Sequence, residues 1–200
     1  MFTFISDWDG VLFNVAALKQ DWFHLLDALS GKDAVATYET VKQECGFYDA
    51  TYHMELLGGT ERVWRQAITD FLREKAPQCI FPEARPLLEG VRARGGKVVI
   101  MTKGTNWFQR AKIDLSGLDS VIDAVYVAED RDKIAAFREV SASFEEPRIF
   151  LEDTPEELEI LKQHDPSLRT ILLVRKGVSL TAPYIDAIVR HLGEVLLLLP

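Results

Sequence analysis

Phe2-Thr3-Phe4-Ile5-Ser6-Asp7-Trp8-Asp9-Gly10-Val11-Leu12 is a strand-like apolar run that ends in two acids one residue apart. Successive side chains of a strand point to opposite faces, so Asp7 and Asp9 project to the same side. Gly10 then lets the backbone turn sharply. Two neighbouring carboxylates cost free energy unless a cation or a shared proton relieves them. The exit of a strand in an α/β sheet is where ligands and metals collect. Taken alone, the pair also fits a solvated turn with two surface acids, so the rest of the chain has to decide.

From residue 97 onward, strand-like and helix-like stretches alternate. Lys97-Val98-Val99-Ile100-Met101, Ala124-Val125-Tyr126-Val127-Ala128, Arg148-Ile149-Phe150-Leu151 and Thr170-Ile171-Leu172-Leu173-Val174 are β-rich runs. Near-continuous apolar strands point to a parallel sheet buried on both faces. The intervals between them are long enough for the crossover helices that parallel strands require. Pro82 to Arg94 and Ala182 to Leu192 also read as helices.

Between residues 14 and 80 nothing resembles a strand. Leu18, Trp22, Leu25, Leu26 and Leu29 recur at helical spacing, and Ser30-Gly31 ends that segment. Val35, Tyr38, Val41 and Cys45 predict a second helix, and Tyr52 to Leu57 a short third, closed by Gly58-Gly59. Thr60 is placed to cap a fourth, with an apolar stripe from Val63 to Leu72. The fold expected is α/β, a Rossmann-like doubly wound parallel sheet. Residues 1–13 and 81–200 form its core, and residues 14–80 a small inserted helical cap.

The 200 residues, 48% hydrophobic and 27% charged, suit a globular chain with a full core. A net charge of -8 argues against nucleic acid or an anionic membrane as partner. A phosphorylated small molecule remains compatible, because a metal and one or two local cations reverse the sign within a cleft. Cys45 and Cys79 have no metal-site spacing and are expected to be reduced. His24, His53, His164 and His191 are too scattered for a zinc site. No secretory signal is visible, and Val195 to Leu199 is too short to span a bilayer, so a cytoplasmic location is expected.

Other strand ends carry chemistry as well. Glu152 and Asp153 follow the strand ending at Leu151. Thr154, Pro155 and Glu157 have the pattern of a helix start, with Glu157 as the reciprocal capping acid. Asp153 has no such structural duty and points into the crevice. Thr102 ends the Lys97 strand, and the amides of the Lys103-Gly104-Thr105 turn suit an oxyanion. Lys133 opens the next helix. Alone, Thr102 reads as a plain cap and Lys133 as a solvated lysine.

In order along the chain, Asp-x-Asp, Thr, Lys and Asp at successive strand ends resemble the four motifs of the haloacid dehalogenase-like superfamily. The resemblance covers nearly the whole chain, including the helical insertion after the first motif. It implies a hydrolase in which Asp7 is the nucleophile that becomes an aspartyl-phosphate and Asp9 the general acid/base. Thr102 and Lys133 would bind phosphoryl oxygens, with Lys103 and Gly104 beside them. Asp7, Asp153 and the backbone carbonyl of Asp9 would hold Mg2+. Phosphoryl transfer depends mainly on positioning and charge neutralisation, which these roles supply.

The chain departs from the family pattern at several points. Glu152 stands where Gly or Asp is commoner, and Glu157 replaces a frequent Asp. Lys103 occupies a position often small or amide. Lys133 lacks the usual following proline, and still ranks above Lys103 for the phosphoryl role. An EF-hand is excluded, since the closing Glu is missing, and no P-loop sequence occurs. Family dehalogenases and phosphonatases lack the second Asp, so the resemblance implies a phosphatase acting on a small phosphorylated metabolite. The alternatives are a sugar-phosphate mutase of the same fold and a non-catalytic relative that binds a phospho-ligand or protein.

Overall fold

The computed structural model of the chain describes residues 1–129, 132–177 and 182–200. Among them, one six-stranded parallel sheet runs in the order β3-β2-β1-β4-β5-β6. Its strands are β1 (Phe2–Ser6), β2 (Gly96–Lys103), β3 (Ala124–Ala128), β4 (Arg148–Glu152), β5 (Arg169–Leu173) and β6 (Ala187–Val189). The chain winds outward from β1 to β3, then returns to the other side of β1 at β4. This places the topological switch between β1 and β4, where Ser6 is paired with Leu151.

Alternation along each strand builds two cores. Phe4, Val98, Ile100, Ile149 and Leu151 face one side of the sheet. Ile5, Val99, Met101, Phe150 and Leu172 face the other. Helices α5 (Ala84–Ala93) and α9 (Leu192–Val195) cover the first side, α7 (Ile134–Ser143) and α8 (Pro155–His164) the second. The sheet is therefore doubly wound, as the apolar runs predict.

Four helices occupy the stretch after the first turn: α1 (Val15–Ser30), α2 (Ala34–Cys45), α3 (Ala50–Leu56) and α4 (Glu61–Lys75). Asn14, Asp33, Asp49 and Thr60 cap them through side-chain oxygens, a device worth about 1 kcal/mol each. Gly31 stops α1 in the left-handed conformation at φ 68°. The helices lean on α6 (Asn106–Asp114), where the rings of Trp22 and Phe108 lie 4.8 Å apart. Thr105 Oγ1 donates to Asp49 Oδ1 at 2.9 Å and accepts from the Ala50 N–H at 2.8 Å, tying α3 to the β2–α6 turn. No helix among the described residues is long and apolar enough to cross a membrane.

The helix expected over Ala182 to Leu192 is not formed. Residues 187–189 instead pair with β5 as an edge strand, Ile171 beside Ala187 and Leu172 beside Ile188. The Asp186 carboxylate accepts from the Thr170 N–H at 2.8 Å and from Lys162 at 2.7 Å, which holds the segment extended. Ile185, Ile188 and Leu192 imitate helical spacing, and pairing with an open strand edge outweighs it.

Candidate active site

The switch point gathers side chains from the ends of β1, β2 and β4 and from the starts of α7 and α8. Asp7 lies one residue beyond β1, anchored by its N–H to the Leu151 carbonyl at 2.9 Å. Its Oδ1 accepts from Lys133 Nζ at 2.6 Å, and the same ammonium donates to Glu152 Oε2 at 2.6 Å. Lys133, just before α7, is only 3% exposed, so the solvated alternative for this residue is wrong. Breaking such a buried pair typically costs about 3–5 kcal/mol, because a charge is left uncompensated.

The acids after β4 divide their work differently from the capping pattern. Glu152 Oε1 accepts from the N–H groups of Asp153 and Thr154 at 3.0 and 3.1 Å. Glu152 thus does the reciprocal capping expected of Glu157, and Thr154 makes no side-chain cap bond. Glu157 pairs with Lys103 across the cleft instead. Both Glu152 oxygens are engaged, whereas Asp153 opens to the cleft. Gly10 explains how Asp153 comes so close. A Cβ there would stand 2.2 Å from Asp153 Oδ2, and φ is +84°.

Asp7, Glu152 and Asp153 each offer a carboxylate oxygen within 4.8 Å of the others. Three carboxylates face one ammonium, and the imbalance shows in their protonation. Burial first, then the Glu152 charge, pushes the Asp7 carboxyl from 3.8 to about 7 despite Lys133. Burial likewise raises Glu152 to about 7. Desolvation and the Asp7 charge raise Asp153 as well. Burial alone would lower the Lys133 ammonium, but the two carboxylates more than reverse it, and the lysine stays charged. An all-oxygen set with excess negative charge fits a hard divalent cation. Asp7 and Asp153 have oxygens to give it; Glu152 serves to orient Lys133 and the Asp153 backbone.

Asp9 turns to a separate partner. Both its carboxylate oxygens accept from Lys112 Nζ at 2.6 Å, and Oδ2 also accepts from Gln109 Nε2 at 3.0 Å. Trp8, between the two acids, is buried against Phe13 with ring centroids 5.7 Å apart. The alternation Asp-Trp-Asp therefore places two acids on one side and an anchor on the other. Asp7, Asp9, Thr102, Lys103, Lys133, Asp153 and Glu157 all border one cleft. Gly104 contributes no amide to it: its N–H is spent on the Ala128 carbonyl at 3.0 Å. That part of the oxyanion expectation is overturned, because β2 runs on to Lys103 and the β3 edge claims the next N–H.

No sequence motif singles out Lys112, Gln109 or Arg175. Phe108, Gln109, Lys112 and Ile113 are the buried face of α6. A lysine at i+4 from a phenylalanine in such a stripe needs a carboxylate, and that was the available signal. Arg175 stacks 3.6 Å over Phe81 and donates to the Val11 carbonyl at 2.8 Å, bracing the turn after Asp9. Arg62 and Arg65 border a different surface hollow on the helical segment and do not line the cleft.

No protein-family model and no curated protein matches the sequence. Solved structures do. A haloacid dehalogenase-like hydrolase from Burkholderia xenovorans superposes with a TM-score of 0.77 at 22% identity, over 98% of this chain and 97% of the other. The HAD-hydrolase YfnB of Bacillus subtilis, solved bound to magnesium, gives 0.70 at 16% identity over 98% and 97%. The L-2-haloacid dehalogenase of Xanthobacter autotrophicus gives 0.62 at 14% over 99% and 98%. The chain has the haloacid dehalogenase-like fold, with the helical insertion included in the match.

Proposed function

We propose that this protein is a Mg2+-dependent phosphomonoester hydrolase that passes the phosphoryl group through Asp7. The observation that carries the reading is the pair of acids with separate partners, Asp7 on Lys133 and Asp9 on Lys112, bordering one cleft. Asp7 Oδ2, the oxygen not bonded to Lys133, attacks phosphorus. The Lys133 ammonium and the Thr102 hydroxyl, which line the same cleft as Asp7, neutralise the charge that gathers on the phosphoryl oxygens. Asp9 enters the first transfer as the carboxylic acid and gives its proton to the leaving oxygen. The carboxylate so formed, the state paired with Lys112 in the structure, then takes a proton from the water that opens the acyl phosphate. Lys112 and Gln109 hold its carboxyl group in place for both transfers. Asp7, Asp153 and the Asp9 carbonyl would bind the metal, which supplies charge neutralisation and keeps Asp7 ionised.

Halide displacement has no use for Asp9 or for the excess carboxylates around Asp7. A pure phospho-ligand binder has no use for a second acid held by a buried ammonium. A mutase would use the same residues and differs only in returning the phosphoryl group to its substrate. Release of inorganic phosphate from phosphomonoesters tests the reading. It should require Mg2+, stop in chelator and disappear in Asp7→Asn. Phosphate release that persists in chelator, or in Asp7→Asn, would overturn it.

A further inference from the structure

Two cavities meet at Asp9 and Lys103. One is the acidic cleft. The other, of about 230 Å³, lies between the helical segment and α6 and is walled by Leu18, Trp22, Phe23, Tyr38, Tyr48 and Phe108. We propose that this chamber receives a single aromatic ring, so that the organic half of the substrate is an aryl or arylmethyl group. The proposal rests on the phosphatase reading for the chemistry at the attached phosphoryl group.

Size is the first argument. An apolar cavity of ~150 Å³ takes up benzene, and pockets for drug-sized ligands begin near ~300 Å³. A chamber of about 230 Å³ therefore suits one ring with a small substituent. The walls supply the second argument. Trp22 and Phe108 meet at 4.8 Å with planes tilted by 38°, and Phe23 and Tyr38 at 5.2 Å and 66°. A guest ring would meet both faces and edges in the offset arrangements that aromatic pairs prefer.

On the walls the Trp22 indole, the Tyr48 hydroxyl, Asp9 and Lys112 are already engaged with one another or with His53, which disfavours a polyol. Trp22 Nε1 donates to the Tyr48 hydroxyl at 2.6 Å, and that hydroxyl lies 2.9 Å from His53 Nδ1. His53 Nε2 is 3.0 Å from the Ala34 carbonyl, which can only accept, so Nδ1 accepts the hydrogen bond that the Tyr48 hydroxyl donates. This chain also fixes the Trp22 and Tyr48 rings before any ligand arrives. Gln109 Nε2 is shared by Asp9 and the Lys103 carbonyl. Gln109 Oε1 is buried without a partner, one acceptor where a sugar presents several hydroxyls. Burying unpaired hydroxyls costs free energy, whereas burying a ring gains it.

Placement completes the case. Asp9 and Lys103 stand at the boundary, so an ester oxygen at Asp9 sends its substituent into the chamber while the phosphoryl group lies at Asp7. Tyr38 forms the outer wall, with Lys19 Nζ 3.8 Å over its ring at the exposed rim.

Binding and turnover are measured separately. By titration calorimetry with Mg2+, benzylphosphonate should bind about 10- to 100-fold more tightly than methylphosphonate, the gain expected for burying one ring. Benzyl phosphate should exceed glycerol phosphate in kcat/KM by a similar factor; both leaving alcohols need protonation. Tyr38→Ala should erase much of the preference, and Tyr38→Phe should retain it. Should Tyr38→Ala fail to fold, the wild-type comparison alone decides. Tighter benzylphosphonate binding with neither ester hydrolysed would uphold the chamber and overturn the phosphatase reading. Hydrolysis of both esters at equal kcat/KM, with equal phosphonate affinities, would overturn the chamber. A sugar phosphate preferred over benzyl phosphate would do the same.

Discussion

The excess negative charge around Asp7 makes the metal-free protein sensitive to pH in an unusual direction. Asp7 and Glu152 are both raised to about 7 in the folded state, from ordinary values of 3.8 and 4.5. A raised carboxyl contributes stability that is fully present below its unfolded pKa and is lost as pH climbs through its folded one. Each pH unit of difference is worth about 1.36 kcal/mol. Between pH 5 and pH 8, one such acid loses about 3 kcal/mol. Two that share Lys133 do not titrate independently, which bounds the loss at about 3–5 kcal/mol. For a chain of this size that is roughly 6–20 °C in Tm. Calorimetry in chelator should therefore show Tm falling from pH 5 to pH 8. Mg2+ should restore it at pH 8 and do little at pH 5, because the ion binds the ionised native site. Asp7→Asn should shrink the decline by about half. A Tm that is flat or rises over this range in chelator, or an equal Mg2+ effect at both pH values, would refute the electrostatic account.

Other substitutions probe the parts singly. Asp9→Asn should cost about 10²–10⁴-fold in kcat on an alkyl phosphate but much less on p-nitrophenyl phosphate, whose leaving group needs little protonation; equal losses on both would remove Asp9 as the proton donor. Lys112→Met leaves the Asp9 carboxylate without the ammonium that meets both its oxygens, and kcat on an alkyl ester should drop at least about tenfold with Lys112→Arg recovering part of it. Unchanged turnover in Lys112→Met would make that pair purely structural. Gly10→Ala sets a Cβ 2.2 Å from Asp153 Oδ2, so the carboxylate must move and the Mg2+ concentration for half-maximal activity should rise. An unaltered Mg2+ titration would show that Asp153 is not a ligand.

Much of this arrangement was legible in the sequence for local reasons. Apolar runs such as Lys97 to Met101 identify buried parallel strands, because β-branched residues facing two cores leave little room for polar alternation. Gly31 and Thr60 lie where α1 ends and α4 begins. What escaped depends on contacts between distant residues. Residues 182–192 have a helical spacing that only strand pairing with β5 overrides. Glu157 carries the right residue type for a cap, yet Lys103, 54 positions away, claims it, and Glu152 takes its backbone partner. Nothing local marks Lys112 out among its apolar neighbours, because its carboxylate is 103 positions earlier. The Gly104 amide, open in a loop reading, is consumed by the β3 edge.

The central claim, that Asp7 itself carries the phosphoryl group, is tested most directly by trapping it. Asp9→Asn with Mg2+ and p-nitrophenyl phosphate should complete the first transfer and lack the base for the second, so acid quench should capture the intermediate. Mass spectrometry of the digested protein should find one phosphoryl group on the peptide from the first strand, at Asp7, and none in Asp7→Asn. Release of p-nitrophenol in a burst with no adduct at Asp7, or with the adduct on another residue, would contradict the account.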